Sequence, residues 1–386
     1  LPGLKTYCII TEAKIKKVFP IRLSKMMICV LSVFCCSVAA SCSDSVNPPV
    51  RTDPSTSYQT SRTGQSGATR PPSGEGGTTT PKESLQKVTL SFVGDCLIAT
   101  ADGTTHRPGS LNWTADRQPP SYFFEKVAGI FANDDFTIAN CENVFTDSDL
   151  PPVKKKQQPA FWFKSATKNA AILKSGNVDI VSLANNHTDD YGAQGFDDTE
   201  NAVKSTGILT GYGGKPVVVE KNGIRIGIVC CGFWDYNQHR GIVNEMKRIE
   251  EDTDIQIIFF HGGTEKIHQP EEWKVSGARE LVDAGADLVV GGHPHVLQPM
   301  EIYKGVPIVY SLGNFVYGGN TMPENRTIIF QAFFEKIDGE IKLSTDIIPC
   351  YVYGGKTNNW QPYPIENKTH KSRVLDFMKG KRELPY

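Results

Sequence analysis

Carboxylate, amide and imidazole side chains follow directly on five short apolar runs in this sequence. Val93 leads into Gly94-Asp95, Ala139 into Asn140-Cys141-Glu142-Asn143, and Leu183 into Ala184-Asn185-Asn186-His187-Thr188-Asp189. Phe260 leads into His261-Gly262-Gly263-Thr264-Glu265, and Val290 into Gly291-Gly292-His293-Pro294-His295. Oxygen and imidazole donors of this kind suit zinc, iron or manganese. An ion held by them polarises a phosphoryl or carbonyl oxygen and lowers the pKa of bound water. His293 and His295, two apart, face the same way if the backbone is extended, and Pro294 between them stiffens the turn. Each cluster alone has a plainer reading: a strand-to-turn signal for Gly94-Asp95, a loop cap for Asn185-Asn186-His187, a satisfied core histidine for His261. Four of the eight histidines fall in these turns, and that favours one convergent site.

The runs that carry these turns are short and rich in β-branched residues. Val88–Val93, Phe136–Ala139, Val178–Leu183, Ile224–Val229, Ile255–Phe260, Leu288–Val290 and Val306–Tyr310 read as buried strands. Helical segments are expected between several of them, at Tyr122–Phe131, Lys168–Ser175, Phe196–Ser205, Asn244–Asp252 and Glu271–Ala284. Alternation of this kind predicts an α/β domain over residues 85–350 with largely parallel pairing. In such sheets the strand C-termini line one edge, where ligands bind. Groups distant in sequence would then meet in space. Phe330–Ile348, centred on Asp338-Gly339, predicts a hairpin at a sheet edge. Residues 351–386 are polar and irregular, and a loose C-terminal tail is expected there.

The first 84 residues speak of location. Lys14, Lys16, Lys17, Arg22 and Lys25 precede an apolar run from Met26 to Ala40, the layout of a secretory signal. Ala39-Ala40-Ser41-Cys42 resembles a lipobox, so residues 1–42 are expected to be a signal peptide with Cys42 as a lipid attachment point. Residues 43–84 are Ser, Thr, Pro and Gly with scattered charges, too poor in apolar surface to fold, and predict a flexible linker. The protein is therefore expected outside the cytoplasm, membrane-anchored or secreted. A formal net charge of -1 gives no sign of a nucleic-acid partner. Cys96, Cys141, Cys230, Cys231 and Cys350 do not read as a disulfide framework, and no Cys-X-X-Cys pair suggests a structural zinc site.

Taken together, the chain resembles the bacterial capsule-synthesis family, the CapA or poly-γ-glutamate capsule (PGA_cap) proteins. The matching signatures are Phe92-Val93-Gly94-Asp95, Asn140-Cys141-Glu142, Leu183-Ala184-Asn185-Asn186-His187, His261-Gly262-Gly263-Thr264-Glu265 and Gly291-Gly292-His293-Pro294-His295-Val296-Leu297-Gln298. The last continues to Tyr310-Ser311-Leu312-Gly313-Asn314-Phe315, so the likeness runs from about Val88 to Gly318. It implies a metallo-dependent phosphatase-like, four-layer α/β/β/α sandwich. By the same analogy Asp95, Glu142, Asn186, His261, His293 and His295 would ligate one or two divalent ions, Mn, Zn or Fe. His187 would face the substrate as charge stabiliser or general acid, with Glu265 and Asn314 as further site residues. Three departures stand out. Leu97 occupies the His position of the Asp-X-His motif that opens a two-metal phosphatase site, so one ligand of such a site is missing. Glu142 stands where Asp is usual, and Gly262 where the family has Trp.

Three functional readings follow. The chain is a surface hydrolase or transferase acting in capsule or poly-γ-glutamate synthesis or attachment, on a phosphate or γ-glutamyl substrate and alongside other capsule-synthesis proteins. Alternatively it is an extracellular metallophosphoesterase of other substrate. In the third reading it is a non-catalytic envelope component that binds an anionic polymer.

Overall fold

A computed structural model describes residues 86–386 apart from 106, 157 and 319–324. The expected signal segment, the Cys42 lipobox and the linker lie outside the described residues. The first half of the domain supplies β1 (Gln86–Cys96), β2 (Thr100–Ala101), β3 (Phe136–Cys141), β4 (Val144–Phe145), β5 (Phe163–Ser165), β6 (Ile180–Ser182) and β7 (Leu209–Gly211). Next come β8 (Val217–Lys221), β9 (Ile224–Gly232), β10 (Ile255–His261), β11 (Leu288–Gly292), β12 (Leu297–Tyr303) and β13 (Val306–Leu312). The hairpin β14 (Arg326–Ile337) and β15 (Glu340–Tyr351) and the short β16 (Tyr363–Pro364) complete the strands. The helices are α1 (Leu111–Ala115), α2 (Ala128–Phe131), α3 (Ala171–Ser175), α4 (Gly192–Ser205), α5 (His239–Ile249), α6 (Glu272–Asp283) and α7 (Lys368–Met378).

The strands form a seven-stranded sheet, β16-β15-β14-β1-β3-β6-β7, and a six-stranded sheet, β12-β13-β11-β10-β9-β8. A small third sheet, β2-β5-β4, stands beside them. Each large sheet has a parallel centre, β1-β3-β6-β7 in one and β9-β10-β11-β13 in the other. The flanks run antiparallel: β14 and β15 form the expected hairpin, with β14 antiparallel to β1, and β8 and β12 are further antiparallel strands.

Alternate residues of the central strands bury on opposite faces, which accounts for their unbroken apolar runs. Phe92, Ile138, Ile257, Val290 and Phe330 meet between the two sheets. Val93, Ala139, Val181 and Ile329 face outward from the first sheet onto Phe124, Leu173 and Val203. Val229, Ile258, Val289 and Ile308 face outward from the second onto Ile242, Met246 and Leu281 of α5 and α6. Helices outside, two sheets inside: this is the four-layer α/β/β/α sandwich.

At the β14–β15 turn, Asp338 and Gly339 take positive φ values of 53° and 84°, as a two-residue hairpin of this hand requires. The segment after Cys350 is not a loose tail. Asn367 caps α7 by accepting from His370 N at 3.0 Å, and Val374, Phe377 and Met378 join the core between the sheets. Those are the buried side chains of the helix, too few to stand out in a polar stretch.

Phe92 is fully buried, with its ring 5.9 Å from that of Phe259 across the sheets and 6.5 Å from Phe330. Phe92→Ala should therefore cost about 3–5 kcal/mol in urea denaturation. A loss under about 1 kcal/mol, the range of a surface change, would contradict this packing.

Candidate metal centre

The site forms where strand ends of both sheets reach one rim. Asp95 leaves β1 held on both sides, its N–H donating to Gly313 O at 3.0 Å and its carbonyl accepting from Phe315 N at 2.8 Å. Gly94 permits this approach, since a Cβ there would lie 1.8 Å from Gly313 O. Asn140 pairs with Asp95 across the β1–β3 ladder, and Glu142 N then donates to Cys96 O at 2.9 Å. Beyond β6, Asn185 Nδ2 donates to Asn140 Oδ1 at 3.1 Å and Cys141 O at 2.8 Å, which fixes the Asn186-His187 turn against β3.

The second sheet brings the imidazoles. His261 ends β10, and His293 and His295 follow β11. The pair is not extended as the sequence suggested: φ is 93° at His293 and 56° at His295. Non-glycine residues held in this region are strained and concentrate at functional sites. A Cβ on Gly292 would lie 2.8 Å from Asp95 Oδ1, so glycine lets this turn close on the first sheet.

The six residues assigned as ligands by resemblance come together. His261 Nε2 lies 2.9 Å from Asn186 Oδ1, 3.1 Å from His293 Nδ1 and 3.4 Å from Glu142 Oε1. His295 Nδ1 is 3.1 Å from Asp95 Oδ2, and its Nε2 is 3.7 Å from Glu142 Oε1. His293 N donates to Asp95 Oδ2 at 3.2 Å. Among the described residues two triads place one donor atom each within 4.8 Å of the others: Asp95, Glu142 and His261, and Glu142, His293 and His295. Glu142 belongs to both. Its carboxylate is fully buried, and neither oxygen has a well-formed hydrogen bond among the described residues. A buried carboxylate left so is costly unless a cation meets it. Oxygens and imidazole nitrogens crowded this closely fit a divalent ion of the borderline class.

Electrostatics agree. Burial would raise the Asp95 carboxyl, but hydrogen bonds and charge from His261 and His295 outweigh it and hold it below the usual carboxylate range. Burial opposes the charge on His261, yet Glu142 and Asp95 override it and push the imidazole up to about 9. His295 moves upward for the same reasons, against its own burial. Burial drives His293 well down, and the neighbouring His261 and His295 charges add to that.

The other expected residues hold separate stations. Asn314 Oδ1 lies 2.8 Å from His295 Nδ1. Glu265 is exposed beyond His261 and acts on His295 and Tyr317 through its charge. His187 follows Asn186 in the chain, with Nδ1 2.9 Å from Asp190 Oδ2 and its ring edge-on to Phe163 at 4.6 Å. Leu97, where a phosphatase carries a ligand, is buried.

Several participants were not singled out from the sequence. Asn140 Nδ2 lies 2.9 Å from Asp95 Oδ1 and 3.0 Å from His261 Nδ1, orienting two ligands at once. Its position in the strand-end motif beside Glu142 was the available signal. Trp234 sets its ring edge-on to His293 at 4.8 Å and lies 5.8 Å from His261. A Cβ on Gly262 would fall 1.7 Å from Phe233 O, so no side chain fits where the family carries Trp, and Trp234 supplies the aromatic wall from the end of β9. Tyr317 packs on His295 with ring centroids 4.9 Å apart.

The family model for bacterial capsule synthesis protein PGA_cap matches residues 89–318. The chain is 28% identical over 320 residues to the capsule biosynthesis protein CapA of Bacillus anthracis, covering 75% of this chain and 72% of that one. It is 30% identical over 255 residues to the PGA biosynthesis protein CapA of Bacillus subtilis, covering 60% and 63% respectively. A hypothetical protein from Thermus thermophilus aligns in structure with a TM-score of 0.41 at 15% identity, over 68% of this chain and 99% of that one.

The raised His261 makes a prediction for the chelator-treated protein. A folded value near 9 against an ordinary 6.5 stabilises the fold fully below 6.5, and the contribution fades as pH rises through about 9. Asp95, shifted the other way, contributes only above its ordinary 3.8. Wild type should thus exceed His261→Gln by roughly 3 kcal/mol near pH 6 and by much less near pH 9, read by urea denaturation. A gap that widens with pH would contradict the arrangement.

Proposed function

The chain belongs to the bacterial capsule synthesis PGA_cap family, and on that footing we propose that it is a metal-dependent hydrolase or transferase of capsule or poly-γ-glutamate synthesis or attachment. One observation carries the chemistry: the buried Glu142 carboxylate, without a well-formed hydrogen bond among the described residues, faces the imidazoles of His261 and His295 and shares a triad with His293. Asp95, Glu142, Asn186, His261, His293 and His295 would hold one or two ions of manganese, zinc or iron. Bound there, the metal would polarise a phosphoryl or carbonyl oxygen and activate water.

The chain's own groups supply the rest. Asn140 and Asn314 orient Asp95, His261 and His295, the outer support that fixes ligand geometry. His187 gives a proton to, or steadies charge on, the reacting group. Asp190 accepts from its Nδ1, which leaves Nε2 for the substrate. Glu265, exposed at the rim, is a further candidate for contact with the substrate. An anionic γ-glutamyl chain is the favoured substrate, by analogy with the relatives' names, and other capsule-synthesis proteins are the expected partners. We place the protein outside the cytoplasm, anchored through its signal segment or a lipid on Cys42. The buried Leu97 in the ligand position of phosphatases argues against a generic phosphoesterase.

Purified protein should contain a divalent metal by elemental analysis and should cleave or transfer γ-linked glutamyl chains. Metal-dependent turnover of simple phosphoesters instead would favour the phosphoesterase, and bound metal with no turnover of either would favour a polymer-binding component. His295→Ala should lose metal. His187→Ala should keep it and lose turnover by about 10²–10⁴-fold, the span of general acid–base assistance. Equal metal loss in both variants would overturn this division of roles.

A further inference from the structure

His187 is held by a group that is itself held. Asp190 is fully buried, and its Oδ2 takes His187 Nδ1 at 2.9 Å and accepts from Phe163 N at 2.8 Å. Its other oxygen, Oδ1, forms an ion pair with Lys155 Nζ at 2.5 Å. The Asp190 carbonyl accepts from Val153 N at 2.9 Å, and Trp162 Nε1 donates to Val153 O at 2.7 Å. Lys155 and Phe163 are thereby tied to the His187 turn through one buried carboxylate, and Val153 through the backbone of the same residue.

We propose that Lys155 is a positioning residue, which through Asp190 fixes the tautomer and orientation of the His187 imidazole. The proposal rests on the reading in which His187 acts on substrate. Lys155 is not free to serve as a hand for an anionic substrate. Its side chain is 18% exposed, and its ammonium is engaged by Asp190 Oδ1 and by Phe161 O at 2.9 Å.

The same ammonium lies 3.3 Å from His187 Nδ1. An ammonium only donates and an ionised carboxylate only accepts, so the proton on Nδ1 is decided between the two. The shorter approach, to Asp190, requires an N–H there, because two acceptors at 2.9 Å repel. Lys155 Nζ lies closer to its ion-pair partner Asp190 Oδ1, at 2.5 Å, and donates to Phe161 O at 2.9 Å. His187 is therefore the Nδ1–H tautomer, with Nε2 unprotonated when the ring is neutral. Without Lys155 the carboxylate loses the ammonium that balances its charge, and the Phe163 N–H is left to hold Oδ2 beside Nδ1. The T-shaped contact of Phe163 limits where the ring can go but does not select its proton.

The test is ¹⁵N-histidine NMR of the full chain at neutral pH, with the His187 signal assigned by its disappearance in His187→Gln. Wild type and Lys155→Arg should give the Nδ1–H form, and Lys155→Met a mixture with the Nε2–H form. If Met costs the fold, Lys155→Gln is read in the same way. On a turned-over substrate, Lys155→Met should lower kcat about 10- to 100-fold with KM nearly unchanged, and Arg should restore it. An unchanged tautomer in the Met or Gln variant overturns the proposal, and so does a raised KM with unchanged kcat, which would assign the lysine to substrate binding. The spectra need neither metal nor substrate. A protein with no turnover at all would count against the enzyme reading and leave the role of Lys155 to the NMR result.

Discussion

Asp95 and Glu142 are fully buried carboxylates, and a carboxylate stays ionised in a protein interior only when positive charge or donors surround it. Asp95 has them: the Asn140 amide, His293 N and the His295 ring all lie within hydrogen-bonding reach. Glu142 does not. The His261 and His295 nitrogens face it at 3.4 and 3.7 Å. The distances are too long for good hydrogen bonds and suit donors spaced around an ion. A cation at this point resolves the missing hydrogen bonds of Glu142 and the close approach of His261 to His293 together.

That demand explains the architecture around it. Donors must come from both sheets, so the strand ends have to cross the gap between them, and two glycines make the crossing possible. Gly94 lets β1 pass against Gly313, and Gly292 lets the β11 turn close on Asp95. The strained backbone at His293 and His295 belongs to the same closure, held by the ladders on either side. The hydrogen bonds from Asn185 to Asn140 and Cys141 lock the third strand end to the second. A rigid sandwich thus carries a site whose parts, such as Asp95 and His293, lie 198 residues apart in sequence.

The central strands were legible because both their faces are buried, which writes them as continuous apolar runs. β8 and β12 were not, since they are edge strands with exposed positions such as Val218 and Ile302 and carry a broken pattern. The ligand residues could be read because each follows a strand and has a donor side chain. Asn140 was passed over because its work, orienting Asp95 and His261, depends on contacts at long sequence separation. Trp234 carries no ligand chemistry, and its role emerges only once the space closed to a side chain at Gly262 is seen. Lys155 lies in a Pro- and Lys-rich stretch whose polar texture reads as surface, though its ammonium turns inward to a buried carboxylate.

The central claim is that the Glu142 carboxylate is buried where it is in order to meet a metal ion. Calorimetric titration of Mn²⁺ and of Zn²⁺ into chelator-treated wild type and Glu142→Gln tests it directly, because the substitution keeps the side chain's shape and removes its charge. Tight saturable binding to wild type, lost or greatly weakened in Glu142→Gln with the fold intact, is the predicted result. Equal binding by both proteins, or none by wild type, would contradict the account.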